Sequence, residues 1–117
     1  MIKGTGVDIV EIDRIKDAVK RHGQRFLKKI FTPLEIKYCS SFNKLKFPEL
    51  SVRFAAKEAY SKANGTGMRG IHWRHIEVFN DTKGKPLLRI KGKYKKNVQV
   101  TLSHNRDYAV ANVIIEG

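Results

Sequence analysis

Glu58 and Lys62 stand four residues apart in the run Arg53-Phe54-Ala55-Ala56-Lys57-Glu58-Ala59-Tyr60-Ser61-Lys62-Ala63-Asn64, whose composition predicts a helix. At that spacing Phe54, Glu58 and Lys62 share one stripe, so a carboxylate and an ammonium meet where they can move a proton or hold a charged ligand. Local sequence alone favours a plainer reading, an ordinary surface ion pair worth about 0.2–0.5 kcal/mol. Asp8 is a second carboxylate out of place. It interrupts the strand-like run Gly6-Val7-Asp8-Ile9-Val10, where aspartate is disfavoured, and reads either as a cap for the following helix or as a ligand. Gly65-Thr66-Gly67-Met68-Arg69-Gly70 could expose backbone amides as a phosphate-cradling nest does. It follows a helix instead of preceding one and lacks Gly-Lys-Ser/Thr, so it is not a P-loop, and Gly65 reads as a helix C-cap. Ser103-His104-Asn105 falls in a turn between strands, where a histidine is ordinarily solvated or bonded to backbone. His22, His72 and His75 show no partner pattern.

These groups must be aimed by the elements around them. Residues 2–10 read as a strand with Val7 and Ile9 on one face and Asp8 on the other. Gly4 and Gly6 weaken it while letting another backbone or a ligand come close. A helix starts near Asp13 with Ile12, Ile15, Ala18 and Val19 inward, and ends at His22-Gly23. A short amphipathic piece follows, apolar at Phe26, Leu27 and Ile30. Thr32-Pro33-Leu34-Glu35 is a capping box, opening a helix expected to reach about Phe42. Residues 43–47 then form a basic linker, and Pro48 sets the first turn of a long helix through about Ala63. Alanines at 55, 59 and 63 leave one face of that helix without bulk, able to lie close against another element. Ile76–Phe79 and Pro86–Ile90 flank a turn and predict a hairpin, and Asn97–Leu102 and Tyr108–Ile115 are the last strands. The order implies an α+β fold, with helices packed on one face of a mostly antiparallel sheet.

The 117 residues fit one domain, expected to span 1–117. No stretch approaches the roughly 20 apolar residues of a membrane span, and the N-terminus enters its strand without a signal-peptide apolar region. A cytoplasmic protein with no membrane partner is expected. The single cysteine, Cys39, cannot form an internal disulfide, has no Cys or His cluster with which to hold zinc, and reads as a small buried hydrophobe. The net charge of +13, from 24 Lys and Arg against 11 Asp and Glu, points to a polyanionic partner without choosing one.

Taken in order, Gly4-Thr-Gly-Val-Asp8-Ile-Val, Arg53-Phe-Ala-Ala-Lys57-Glu58-Ala-Tyr-Ser-Lys62 with Gly65-Thr-Gly, Gly84-Lys-Pro, and Thr101-Leu-Ser-His104 with Tyr108-Ala resemble the holo-acyl-carrier-protein synthases. These are the short bacterial type of 4′-phosphopantetheinyl transferase, and the resemblance covers essentially the whole chain. It implies transfer of 4′-phosphopantetheine from coenzyme A to a serine of apo acyl carrier protein, releasing 3′,5′-ADP, in support of fatty acid biosynthesis. Asp8 and Glu58 would hold a Mg²⁺ that also binds the coenzyme A pyrophosphate, consistent with the taste of that ion for few carboxylates plus phosphate and water. Glu58, directly or through a metal-bound water, would accept the serine proton. Lys62 would offset pyrophosphate charge and protonate the departing phosphate, and Lys57 would be a further phosphate or structural partner.

The resemblance further implies a homotrimer with active sites between subunits. Ser103, His104 and Asn105 would approach the nucleotide, and Gly65, Thr66 and Gly67 the pantetheine and phosphates. Arg14, Arg21, Arg25, Lys29 and Arg53, with Phe26 as an apolar contact, would dock the acidic carrier protein. A nucleic-acid partner is not expected, because Tyr38, Tyr60, Tyr94 and Trp73 form no stacking platform and a phosphate groove would not want Asp8 and Glu58 without a metal. Lys91, Lys93, Lys95 and Lys96 form a second basic cluster to which neither argument gives a role.

Overall fold

The computed structural model describes all 117 residues. In chain order they form β1 (Ile2–Glu11), α1 (Ile12–His22), α2 (Gln24–Ile30), α3 (Pro33–Tyr38), β2 (Ser40–Ser41), β3 (Lys44–Leu45) and α4 (Phe47–Asn64). A 3-10 turn (Trp73–His75), β4 (Ile76–Asn80), β5 (Pro86–Ile90), β6 (Lys93–Tyr94), β7 (Val98–His104) and β8 (Tyr108–Glu116) complete the chain. Every strand pairing is antiparallel. Two three-stranded sheets, in the orders β1-β8-β7 and β4-β5-β6, stand beside the small β2-β3 hairpin.

Helix α4 is the centre of the molecule, packing on β1, β8 and β7 and touching β4. Eleven of its 18 residues are buried, because the bare face expected of Ala55, Ala59 and Ala63 is met by an equally bare surface. Ala109 and Ala111 of β8 are fully buried against the same core, and β1 presents Gly4 and Gly6. A Cβ added at Gly6 would lie 2.0 Å from the Ala59 carbonyl oxygen, and one at Gly4 would lie 2.1 Å from that of Ala63. The glycines here serve close approach, not an unusual φ. Gly6→Ala is therefore expected to destabilise the fold by about 1–3 kcal/mol through overpacking, read as a lower denaturant midpoint with unchanged slope. A midpoint equal to the parent's would show that β1 and α4 are free to separate.

The capping box forms as expected, with Thr32 Oγ1 accepting from the Glu35 amide and Glu35 Oε1 from the Thr32 amide. Helix α3 nevertheless stops at Tyr38, short of the expected Phe42. Ser40 turns its hydroxyl back on the Ile36 carbonyl, and Phe42 and Asn43 take positive φ values of 50° and 62°. Residues expected to form a plain linker thus make the turn of the β2-β3 hairpin, which the Lys46 amide closes on the Cys39 carbonyl. Cys39 is buried as read, and burial pushes its thiol up to about 11.

Candidate active site

Alternation along β1 turns Gly4, Gly6, Asp8 and Val10 toward α4 and leaves Val7 and Ile9 on the outer face, each more than half exposed. Asp8 caps nothing. The N-cap position of α1 is Glu11, without a side-chain cap bond, and the Asp8 carboxylate instead reaches α4. Lys62 Nζ donates to Asp8 Oδ1 at 3.0 Å and to the Val7 carbonyl at 3.1 Å. The lysine that the four-residue spacing gave to Glu58 therefore forms its ion pair with a strand 54 residues away, which the closeness of the Gly6–Ala59 contact allows.

Glu58 and Asp8 line one cleft of about 350 Å³ with Ile9, Val10, Arg14, Ile15, Ala18, Phe26 and Phe54. Burial raises the Glu58 carboxyl above the usual carboxylate range, the Asp8 charge raises it further, and Lys62 opposes them. A carboxyl raised by burial and by a second carboxylate across a half-buried cleft is the condition that a cation relieves. The lysine ammonium already sits on a carboxylate and a peptide oxygen there, the hard oxygens that Mg²⁺ selects. The residues fit such an ion. Two carboxylates do not complete its shell, and no group of three or more His, Cys, Asp or Glu residues is placed to hold a metal, so phosphate and water would supply the remaining ligands.

Of the residues read as a docking face, Arg14 and Phe26 lie on the lip of this cleft, and Arg21, Arg25 and Lys29 are exposed on α1 and α2. Arg53, expected on the same face, points inward instead. It is 1% exposed, its guanidinium stacks 4.3 Å from the Tyr38 ring centre, and its Nη atoms donate to the Glu49 carbonyl and carboxylate and to Asn80 Oδ1. Lys57 also points inward, 0% exposed. Its Nζ donates to Glu35 Oε1 at 2.7 Å and to the carbonyls of Trp73 and Ile76, which uses all three of its protons. Burial lowers its pKa and Glu35 pulls it back. Of the two roles considered for Lys57, the interior geometry fits the structural one and leaves no proton for a phosphate.

The glycine loop is likewise committed. Gly65 takes φ 83° as the C-cap of α4, its amide donates to the Lys62 carbonyl, and the Gly67 amide donates to the Ser61 carbonyl. These two amides finish the helix and do not form a nest, while Thr66 is exposed beside them. Ser103 and His104 line a separate cleft of about 240 Å³ with Tyr38, Glu49, Arg53, Asn80, Gly84 and Pro86, and His104 Nε2 lies 3.9 Å from Glu49 Oε1. Asn105 shapes the turn, its Oδ1 accepting from the amides of Asp107 and Tyr108. The second basic cluster has a place as well, since Lys91, Lys93 and Lys95 line one groove with Arg69 and Tyr60.

Sequence reasoning missed Glu35 as the partner of Lys57, the Val7 carbonyl, and the Tyr38-Arg53-Asn80 wall. One signal was present: α4 carries apolar residues all the way round, so charges within it must turn inward and be paired.

The chain matches the 4′-phosphopantetheinyl transferase superfamily over residues 4–113. A holo-[acyl-carrier-protein] synthase of Clostridium tetani is 50% identical, covering 100% of this chain and 98% of the relative. Among solved structures, the holo-[acyl-carrier-protein] synthase of Neisseria meningitidis superposes with a TM-score of 0.86 at 35% identity, covering 100% of both chains. That of Bacillus anthracis, in complex with CoA (3′,5′-ADP), gives 0.80 at 36% identity, covering 98% of this chain and 96% of that one. With an α+β fold shared with these structures and a similarity running from end to end, the chain belongs to the 4′-phosphopantetheinyl transferase superfamily, among its holo-[acyl-carrier-protein] synthases.

Proposed function

We propose that this chain, working as one domain, transfers 4′-phosphopantetheine from coenzyme A to a serine of apo acyl carrier protein in a Mg²⁺-dependent reaction that releases 3′,5′-ADP, in support of fatty acid biosynthesis. The observation that carries this reading is the meeting of Asp8 and Glu58 in one cleft whose lip bears Arg14 and Phe26. The serine oxygen attacks the phosphorus on the pantetheine side of the pyrophosphate, and the bond to the 3′,5′-ADP oxygen breaks. Glu58 takes the serine proton, a role suited to a carboxyl raised above its usual range. Lys62 leans on the pyrophosphate, offsets the charge gathering on the departing phosphate and can protonate it. Asp8 and Glu58 would hold Mg²⁺, whose chemistry when bound would be charge neutralisation at the phosphoryl group under attack. Arg14, Arg21, Arg25 and Lys29 steer and dock the acidic carrier protein, with Phe26 as its apolar contact.

The same geometry supports sites shared between subunits of a homotrimer. Arg53 and Glu58 are five residues apart on α4 and so point about 140° apart around it. The body of the helix thus stands between the Asp8–Glu58 cleft and the Ser103–His104 cleft. One coenzyme A can touch both kinds of cleft when they belong to neighbouring chains. Ser103, His104 and the Asn105 turn are offered to the nucleotide by one subunit, and Lys62 to the pyrophosphate and Gly65, Thr66 and Gly67 to the pantetheine and phosphates by the next. The outer face of β1 and β8 carries the exposed apolar side chains Ile2, Val7, Ile9 and Tyr108, a surface suited to such an assembly. No helix is long and apolar enough to cross a membrane, and a cytoplasmic setting fits the substrates.

The test is incubation with coenzyme A, Mg²⁺ and apo acyl carrier protein, followed by mass spectrometry of the carrier. A gain of one phosphopantetheine, abolished by EDTA and restored by Mg²⁺, is expected. An unmodified carrier would overturn the reading.

A further inference from the structure

We propose that Lys62 competes with the divalent cation for Asp8 and yields only as the pyrophosphate of coenzyme A arrives, so that cation and coenzyme A bind cooperatively. The inference rests on the transferase reading above and adds an order to it. Lys62 Nζ bonds Asp8 Oδ1 at 3.0 Å and the Val7 carbonyl at 3.1 Å. A dication drawn to Asp8 and Glu58 must therefore displace the ammonium from one of its own ligands, or sit beside it against the repulsion of like charges.

Lys62 is built to leave. Its side chain is 52% exposed against 16% for that of Asp8, so the ammonium can swing into water while the carboxylate stays in the cleft. An ion pair with one partner in solvent is only modestly held. Lys57, one turn earlier and sealed at 0% exposure, has no such freedom. Leaving, however, strips the Asp8 carboxylate of its countercharge and exposes Glu58, already raised by burial and by Asp8, to a fully negative neighbour. The departure of Lys62 is favourable when two things happen together: a dication takes the carboxylate pair, and an anion receives the ammonium. A pyrophosphate beside the metal meets both conditions, since it completes the metal shell and gives Lys62 a new partner. By linkage the coupling is reciprocal, each ligand raising the affinity for the other. The cleft then charges with metal when the substrate to be activated is present.

The experiment uses Mn²⁺ as the cation, its free form counted by electron paramagnetic resonance, with the full chain and no carrier protein, so that nothing turns over. Three proteins are titrated with and without coenzyme A: the parent, Lys62→Met, which keeps the stem and removes the charge, and Lys62→Arg, which keeps a competing cation. Circular dichroism melts check that each is folded. Without coenzyme A, Lys62→Met should bind Mn²⁺ about tenfold more tightly than the parent, and Lys62→Arg about as the parent does. Coenzyme A should strengthen Mn²⁺ binding by the parent about tenfold or more, and binding by Lys62→Met by much less. If Lys62→Met without coenzyme A binds Mn²⁺ no better than the parent, the competition is overturned while the transferase reading stands on its mass-gain assay. If no protein binds Mn²⁺ even with coenzyme A, the metal-dependent reading itself falls, and this inference with it.

Discussion

Glu58→Gln is expected to lower the rate of phosphopantetheine transfer by about a thousandfold, within the 10²–10⁴ range typical of a lost general base, and to leave the protein as stable as its parent or slightly more so. Both halves follow from the cleft. Glutamine preserves the shape of the side chain but can neither accept the serine proton nor offer a full charge to a cation opposite Asp8. On stability the sign is definite. The Glu58 carboxyl is raised in the folded chain by burial and then by Asp8, so the native state holds the proton more tightly than the unfolded one. Its stabilising contribution is complete below the ordinary carboxylate pKa and is lost as pH rises through the shifted one. Once ionised, Glu58 is a burden that a neutral glutamine removes. Few substitutions in a buried helix cost activity and spare stability. The checks are initial rates of carrier modification and denaturant midpoints at pH 7. Transfer within tenfold of the parent would take Glu58 out of the chemistry, and an unfolding free energy that falls by about 1 kcal/mol or more would make it an ordinary structural residue.

How much of this was legible beforehand depends on the range of the interaction. The strand at residues 2–10, the capping box and the long helix were readable because alternation, a Thr-x-x-Glu spacing and a proline in a first turn are local signals. The hairpin at Ser40–Leu45 was not, because it turns on Phe42 and Asn43 adopting positive φ, and phenylalanine gives no hint of that conformation. At the site, the Phe54-Glu58-Lys62 stripe was correct as a stripe and misleading as a pair. Lys62 chose Asp8, a partner that depends on how closely a glycine strand approaches an alanine helix. Arg53 was expected on the docking face and Lys57 as a phosphate or structural partner, yet α4 is enclosed on nearly every side and both are buried. Charge predicts exposure for a surface helix and pairing for a central one.

That distinction makes Lys57→Met the sharpest probe of the fold, and its expected cost is about 3–5 kcal/mol, the usual result of breaking a buried ion pair by removing one partner. Glu35 is the hub. Its Oε1 accepts from the Thr32 amide and from Lys57 Nζ, and its Oε2 accepts from the Val78 amide at 2.9 Å, so one carboxylate ties the start of α3 to α4 and β4. With methionine at 57 the carboxylate keeps its two amides, loses its only cation within 4 Å, and remains fully buried. Against a whole stability of about 5–15 kcal/mol this leaves a chain that melts far earlier. The double variant Glu35→Gln/Lys57→Met removes both charges, and its loss should fall short of the sum of the single losses by about 1–3 kcal/mol, the coupling expected of contacting residues. Measured at low temperature on folded protein, Lys57→Met should keep the parent's KM for coenzyme A, since the ammonium faces Glu35 and two carbonyls inside the protein. A variant of unchanged stability with a raised KM would reverse the assignment and return Lys57 to the phosphates.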